Sequence, residues 1–344
     1  MSKKIKNVIA DVVVPESPVE DYTIKPTDHD WFFIDPKALF GEGVKAYNPT
    51  IFQMNLKTWM IFRYEANGTF HTELARVELD PDTLKAIGPV APVRITRSSA
   101  RVQTIDDARF MNHKGKGLLV HCQGAEYQNY VWTSSICIAD MDRNNFQCMS
   151  LIVPRYGKNV NYAQTGNHAE VWTEKNWSYL TDYDWDMVFV YKHHPFEVIR
   201  VDRNANATVV HKLDFENPWG RGIFGGTSYA EWDNDTLISM VHSYEVTPAG
   251  QRVYDAGWML VDKHSYKPTF ISKKPVVRGW DDPANDVRKT LEPNSGWMPI
   301  VWYPTGIMVR RREVVISFGW NDCRCGIAYF DKDQITKDLV KIEC

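Results

Sequence analysis

Two adjacent acids and an arginine stand in T-I-D-D-A-R-F, residues 104–110. A carboxylate beside a cation can hold or move a proton, which is the requirement of general acid–base chemistry. Other polar residues gather just before apolar runs. Asn48 opens N-P-T, Lys175 and Asn176 precede Trp177, Thr227 follows a glycine pair, and Tyr303 and Thr305 lie in W-Y-P-T-G. A second set follows apolar runs: Arg63 and Glu65, His193 and His194, His242, Asn321 and Asp322.

The elements that must position these residues are short. Runs rich in Val, Ile, Trp, Tyr and Phe recur between Gly, Asn, Asp and Lys turns, the signature of an all-β chain. Only D-K-D-Q-I-T-K-D-L-V-K-I near the end reads as a short helix, with a further turn at P-D-T-L-K-A-I. Five segments share one grammar: a small or polar cluster, an apolar strand, a turn, a second apolar strand and a second polar cluster. They begin at Asn48, Asp107, Asn176, Gly226 and Tyr303. Strand-like sequence follows three of them, as T-E-L-A-R-V-E-L-D, Y-V-W-T-S-S-I-C-I-A-D and F-E-V-I-R-V-D. The uneven spacing suits blades with variable outer strands. The expectation is a single five-bladed β-propeller over residues 45–344, with residues 1–44 an N-terminal arm or strand packed on it. A two-sheet β-sandwich is the runner-up, but it does not need five copies of one grammar. In a propeller the first strand of each unit lines a central channel, so the scattered clusters converge on one mouth, where ligands favour binding.

Composition adds limits. The chain of 344 residues is 44% hydrophobic and 24% charged, enough for a large core. A net charge of -3 gives no general attraction to nucleic acid or acidic lipid. No apolar run is long enough for a membrane span, and M-S-K-K-I-K-N-V-I-A-D reads as an arm rather than a signal peptide. Six cysteines in this length are no disulfide scaffold. Cys122 and Cys137 read as small buried hydrophobes, and Cys323-x-Cys325 has no matching pair for zinc. The expectation is a reduced, cytoplasmic protein without metal. Sequons at Asn67, Asn176, Asn206 and Asn234 carry little weight without a secretion signal.

Set in order, several motifs are similar to those of a known group. They are D-D-A-R at 106–109, E-K-N-W-S at 174–178, F-G-G-T-S at 224–228, M-V-H-S with Y-D-A-G-W-M-L-V-D up to 262, and W-Y-P-T-G-I-M with F-G-W-N-D-C at 302–323. The chain resembles the five-bladed propeller enzymes that act on glycosidic bonds, most closely the β-mannoside phosphorylase and mannosidase group, with related propeller glycosyltransferases. The resemblance implies that Asp107 is the general acid, which would protonate a leaving glycosidic oxygen or take the acceptor's proton in synthesis. Ala108 stands where the group has proline. The lysine that its phosphorylases carry after the fourth-blade glycines has no counterpart in G-G-T-S-Y-A-E-W.

Inverting hydrolysis needs two carboxylates. Related hydrolases take the base from the first blade, where this chain has Asn48, which cannot accept a proton. Asp322 or Glu65 remains as a substitute. A phosphate on the far face needs no second carboxylate, because it is already ionised. The preferred reading is inverting glycosyl transfer between a sugar phosphate or sugar nucleotide and an acceptor hydroxyl. Phosphate or the nucleotide is then a co-substrate, no cofactor is required, and the partner is a carbohydrate or glycosylated acceptor. The alternatives are an inverting glycoside hydrolase and a non-catalytic glycan- or protein-binding propeller. Candidate cations for the phosphate are Arg63, Arg109, Lys175, Lys192, His193, His242 and Arg324. Trp177, Trp302 and Trp320 are candidate stacking platforms for a sugar ring. Asn48, Glu65, Asn176, Thr227, Tyr254 and Asp322 complete the expected substrate contacts. Strict strand alternation places Asp107 and Arg109 on one face and Asp106 on the other, tying down its loop.

Overall fold

The computed structural model describes residues 31–34, 44–65, 71–98, 102–127, 131–157, 174–246, 252–278 and 301–343. Most of the N-terminal arm and the sequon at Asn67 lie outside these residues. The described chain is mostly strand, in consecutive antiparallel units. After β1 (Trp31–Ile34), the first unit is β2 (Lys45–Met54), β3 (Lys57–Glu65), β4 (Thr72–Leu79) and β5 (Ala91–Ile95). The second is β6 (Val102–His113), β7 (Lys116–Tyr127), β8 (Val131–Met141) and β9 (Gln147–Ile152). The third is β10 (Ser178–Tyr183), β11 (Asp186–His193), β12 (Phe196–Val201) and β13 (Ala207–Leu213). The fourth is β14 (Ala230–Glu231), β15 (Thr236–Val246), β16 (Arg252–Asp262) and β17 (Pro268–Ser272), with β18 (Val277–Arg278) on β16. The fifth is β19 (Trp302–Val309), β20 (Glu313–Trp320) and β21 (Arg324–Asp331).

Two strands outside the five units fasten them to one another. The first strand, β1, adds antiparallel to β21, Trp31 opposite Ala328, and so completes the fifth unit. The helix α1 (Lys332–Asp338) starts where the Asp331 carboxylate accepts from the backbone N–H of Asp333 and Gln334, an N-cap. The last strand, β22 (Leu339–Lys341), then pairs with β17 of the fourth unit. No helix among the described residues is long and apolar enough to cross a membrane.

Apolar side chains fill the spaces between units rather than one central layer. Within β3, Met60 and Phe62 pack toward Val315 and Ile327 of the fifth unit, whereas Ile61 packs toward Ile105 and Leu119 of the second. Within β11, Met187 and Phe189 face Cys122 and Ile136, and Val188 and Val190 face Leu237 and Val241. Ile238 and Met240 in turn meet Phe318 and Phe330. Each unit packs on the next, and the fifth packs on the first. Strands buried on both faces must be apolar at successive positions, which explains the continuous hydrophobic runs. A two-sheet sandwich would hold one core between two faces; the alternating destinations within β3 and β11 exclude that arrangement.

Candidate active site

The polar clusters lie where the first strand of a unit is irregular. Register shifts interrupt β2 between Tyr47 and Thr50, β6 between Asp106 and Arg109, and β19 between Pro304 and Gly306. Asn48 (φ 51°), Asp107 (φ 52°) and, just before β10, Asn176 (φ 66°) adopt the left-handed conformation. Asn and Asp tolerate it better than other non-glycine residues. An extra residue at a bulge re-aims a side chain out of the alternating pattern. Three of the five sequence segments, those opening at Asn48, Asp107 and Asn176, thus begin on a polar residue whose backbone departs from the strand pattern.

Asp107 is buried, and its Oδ1 accepts from Asn48 Nδ2 at 2.7 Å and from Arg63 Nη1 at 3.4 Å. Burial is the largest single influence on its carboxyl and pushes the pKa up. Arg63, Lys175, Arg109 and the Asn48 amide together outweigh burial and hold it below the usual carboxylate range. Oδ2 carries no hydrogen bond among the described residues. Asp322, in the turn after β20 with φ 49°, is pushed the other way. Burial raises it first, Asp107 and Asp106 add to the rise, and Arg63 and Lys175 oppose it. The two carboxyls that share these cations therefore lie on opposite sides of the ordinary value.

The expectation that Asp106 points away from Asp107 is corrected by the bulge. Two residues, Asp107 and Ala108, stand against the single His121 of β7, so alternation fails there. Arg63 Nη1 reaches both acids, 3.2 Å from Asp106 Oδ1 and 3.4 Å from Asp107 Oδ1. Asp106 is nonetheless anchored, accepting from Thr72 Oγ1 at 2.6 Å and Thr104 Oγ1 at 3.0 Å. The Arg63 guanidinium also lies 4.0 Å from the centre of the Tyr47 ring, and the Tyr47 hydroxyl donates to Glu65 Oε2 at 3.2 Å. Glu65 reaches the Asp107 environment through these two side chains.

Arg109 is almost wholly buried and does not pair side-on with Asp107. Its Nε donates to the Gly226 carbonyl, Nη1 to the Asp107 carbonyl at 3.2 Å and Nη2 to the Tyr303 hydroxyl at 2.9 Å. Tyr303 in turn donates to Asn176 Oδ1 at 2.6 Å. Close backbone approach makes room for this network. A Cβ on Gly225 would lie 2.0 Å from the Asn176 carbonyl, and one on Gly226 would lie 2.3 Å from the Met240 carbonyl. Lys175 is partly exposed and makes no hydrogen bond or ion pair among the described residues. Burial opposes its charge, but Asp107, Cys122 and Asp106 more than compensate, so its pKa is raised.

Other expected contacts are corrected by burial. Trp177 has no exposed surface; it packs among Phe189 and Ile136 and its indole N–H donates to Glu174 Oε2 at 3.1 Å. It cannot stack on a ligand, and Trp302 and Trp320 are likewise core residues. Thr227 is buried and hydrogen-bonded to Ser239 and the Met240 N–H. His193 is buried against the Tyr229 ring, and His242 meets the Tyr303 ring edge-on at 4.9 Å. Burial first, then His242 and Arg109, lowers His193 to about 3. Burial first, then Arg109, lowers His242 to about 3, against an upward pull from Asp107. Neither is a cation at neutral pH. Lys192 is exposed over Tyr191 and Arg324 over Trp320. Tyr254, partly exposed, stacks with His242 at 5.7 Å between ring centres and feels Asp322 and Lys175.

Tyr47 and the anchoring pair Thr72 and Thr104 were not visible as site residues in the sequence; each is an ordinary strand residue there. A cavity of about 570 Å³ opens farther along the first strands, lined by Phe52, Phe110, Thr181, Ser228 and Met308. It lies away from Asp107, so the electrostatics and not the cavity locate the candidate chemistry.

No sequence-family profile matches the chain, and no curated protein does. Solved structures do. A β-1,2-mannobiose phosphorylase from Listeria innocua is 10% identical, with 90% of this chain and 98% of that chain covered and a TM-score of 0.59. A GDP-Man-dependent mannosyltransferase from Leishmania mexicana is 10% identical, with 84% and 86% covered and a TM-score of 0.60. A protein from Bacteroides thetaiotaomicron described as a glycosidase is 16% identical, with 89% and 93% covered and a TM-score of 0.61. In fold, the chain resembles the five-bladed propeller mannoside phosphorylases, glycosidases and mannosyltransferase.

Proposed function

We propose that the five units are the blades of one five-bladed β-propeller, and that the protein is a carbohydrate-active enzyme transferring a glycosyl group with inversion between a sugar phosphate or sugar nucleotide and an acceptor hydroxyl. One observation carries the reading. Asp107 is a buried carboxylate held ionised, with Oδ1 occupied by Asn48 and Arg63 and Oδ2 left without a hydrogen bond. An ionised carboxylate at neutral pH suits a base better than an acid. In synthesis Oδ2 takes the proton of the acceptor hydroxyl, the acceptor oxygen bonds to the anomeric carbon, and the bond from that carbon to the phosphate oxygen breaks. Phosphorolysis is the same path reversed. In this reading Lys175 receives the charge on the phosphate; supporting it, Lys175 makes no hydrogen bond or ion pair among the described residues, whereas Arg63 and Arg109 are engaged. The names of the Listeria phosphorylase and the Leishmania transferase make mannose the first sugar to test.

A second reading has its own support. Asp107 lowered and Asp322 raised form a pair of carboxyls with separated proton affinities, the pattern of an acid and a base in inverting hydrolysis. Three incubations separate the readings: a sugar nucleotide with acceptor, inorganic phosphate with an oligosaccharide, and aryl glycosides in water. Nucleotide release or sugar phosphate formation supports transfer. Hydrolysis alone overturns it, and glycan binding without turnover points to a binding module.

A further inference from the structure

Arg109, Tyr303 and Asn176 come from the second, fifth and third units and meet in one hydrogen-bonded chain. Its direction follows from chemistry. A guanidinium can only donate, so the Tyr303 oxygen accepts from Arg109 Nη2 at 2.9 Å. The single phenolic proton must then go to the next group, Asn176, 2.6 Å away. The proton stays on the ring oxygen, because burial raises the Tyr303 pKa well above its usual value. The Asn176 atom that meets Tyr303 must therefore be the carboxamide oxygen, and the amide NH2 is turned elsewhere. Asn176 is partly exposed, and its Nδ2 makes no hydrogen bond among the described residues. Its backbone is locked as well, with φ 66° and the Gly225 backbone against its carbonyl.

We infer that Arg109 and Tyr303 are positioning residues which form a one-way relay, fixing Asn176 so that it presents only N–H donors to the mouth. Asn176 then recognises an oxygen lone pair on the substrate, from a phosphate or from a sugar hydroxyl acting as acceptor. Asn48 is oriented by the same logic with the opposite outcome. Ionised Asp107 can only accept, so Asn48 commits its NH2 to the protein, and its oxygen is buried without a partner. The two asparagines are alike in conformation and unlike in what they offer. The inference rests on the transfer reading only for its kinetic test.

Tyr303→Phe keeps the ring and removes the proton that orients Asn176. With transfer assayed, Tyr303→Phe is expected to raise KM for the group that Asn176 contacts about tenfold, the scale of one hydrogen bond. The fold, by circular dichroism, and the acid limb set by Asp107 should not change. In an Asn176→Ala background the same change is expected to add nothing further to KM. Additive losses, or an unchanged KM in Tyr303→Phe, overturn the relay. Calorimetric binding of inorganic phosphate and of free mannose, with and without Tyr303→Phe, tells which oxygen is read: the ligand whose affinity falls is the one in contact, and equal affinities for both overturn the relay. If the wild type consumes no phosphate-bearing donor, the proposed reaction fails, yet the relay is still testable by side-chain amide spectra of 15N-asparagine-labelled protein. Tyr303→Phe should move the resonance pair that disappears in Asn176→Ala; an unmoved pair overturns the relay.

Discussion

Asp107 carries the proposed chemistry, and its left-handed backbone bears on the choice of variant as much as its charge does. Asp107→Asn is expected to abolish transfer, phosphorolysis or hydrolysis alike, by loss of product in each assay, while a thermal melt shows the fold intact. Asn accepts the same left-handed φ, whereas Asp107→Ala should be inactive and also less stable, by about 1 kcal/mol for a side chain that resists this conformation. The pH response has a defined sign. A carboxyl lowered on folding contributes stability above its unfolded value and loses it as pH falls through its folded value. Protonation of Asp107 also removes the base, so it should set an acid limb of activity that lies below the ordinary carboxylate range. His193 and His242, both near 3, should leave no step between pH 5 and 8 in a pH–rate profile. Asn48→Asp would place a second carboxylate within hydrogen-bond distance of the first. Like charges that close raise a pKa, so the acid limb should move up by about one unit or more, read from the same profile.

At the scale of elements, the bulges and close approaches decide where the polar residues point. Gly319 of β20 lies under Asn48: a Cβ there would be 1.8 Å from Asn48 Oδ1 and 2.8 Å from its backbone nitrogen. Gly319→Ala must displace Asn48 and, through it, Asp107 Oδ1. Overpacking of this kind costs about 1–3 kcal/mol. We expect a lower melting temperature together with a loss of kcat larger than the instability explains at assay temperature, where the folded fraction stays near one. An unchanged kcat would mean that Asn48 does not hold Asp107 for the proposed chemistry.

Over the described residues, the units hold together because each packs on two neighbours and because β1 and β22 pair with units they do not adjoin in sequence. Deleting residues 1–34 removes β1 and leaves β21 as an unpaired edge from Cys325 to Ala328. Open edges pair with other chains, so the truncated protein should melt several degrees lower and elute partly as oligomers in size-exclusion chromatography. A monomer of unchanged melting temperature would show that β1 is dispensable. The sequence by itself marked the β class, the five segments and a short C-terminal helix, although the first strands begin at Lys45, Val102, Ser178, Ala230 and Trp302 and the helix gives way to a strand at Leu339. Those features are written in local periodicity and turn chemistry, which neighbouring residues alone dictate. It also marked Asn48, Asp107 and Asn176, because a polar residue before an apolar strand stands out. Only the tertiary structure decided which way those side chains face. The bulge at Asp107 breaks the alternation that a strand pattern assumes, and it brings Asp106 and Asp107 to one guanidinium. The burial of Trp177, Thr227 and His193 depends on the units on either side of them, and the run of hydrogen bonds from Arg109 through Tyr303 to Asn176 crosses three units. Contacts between residues this far apart in the chain leave no periodic trace in it.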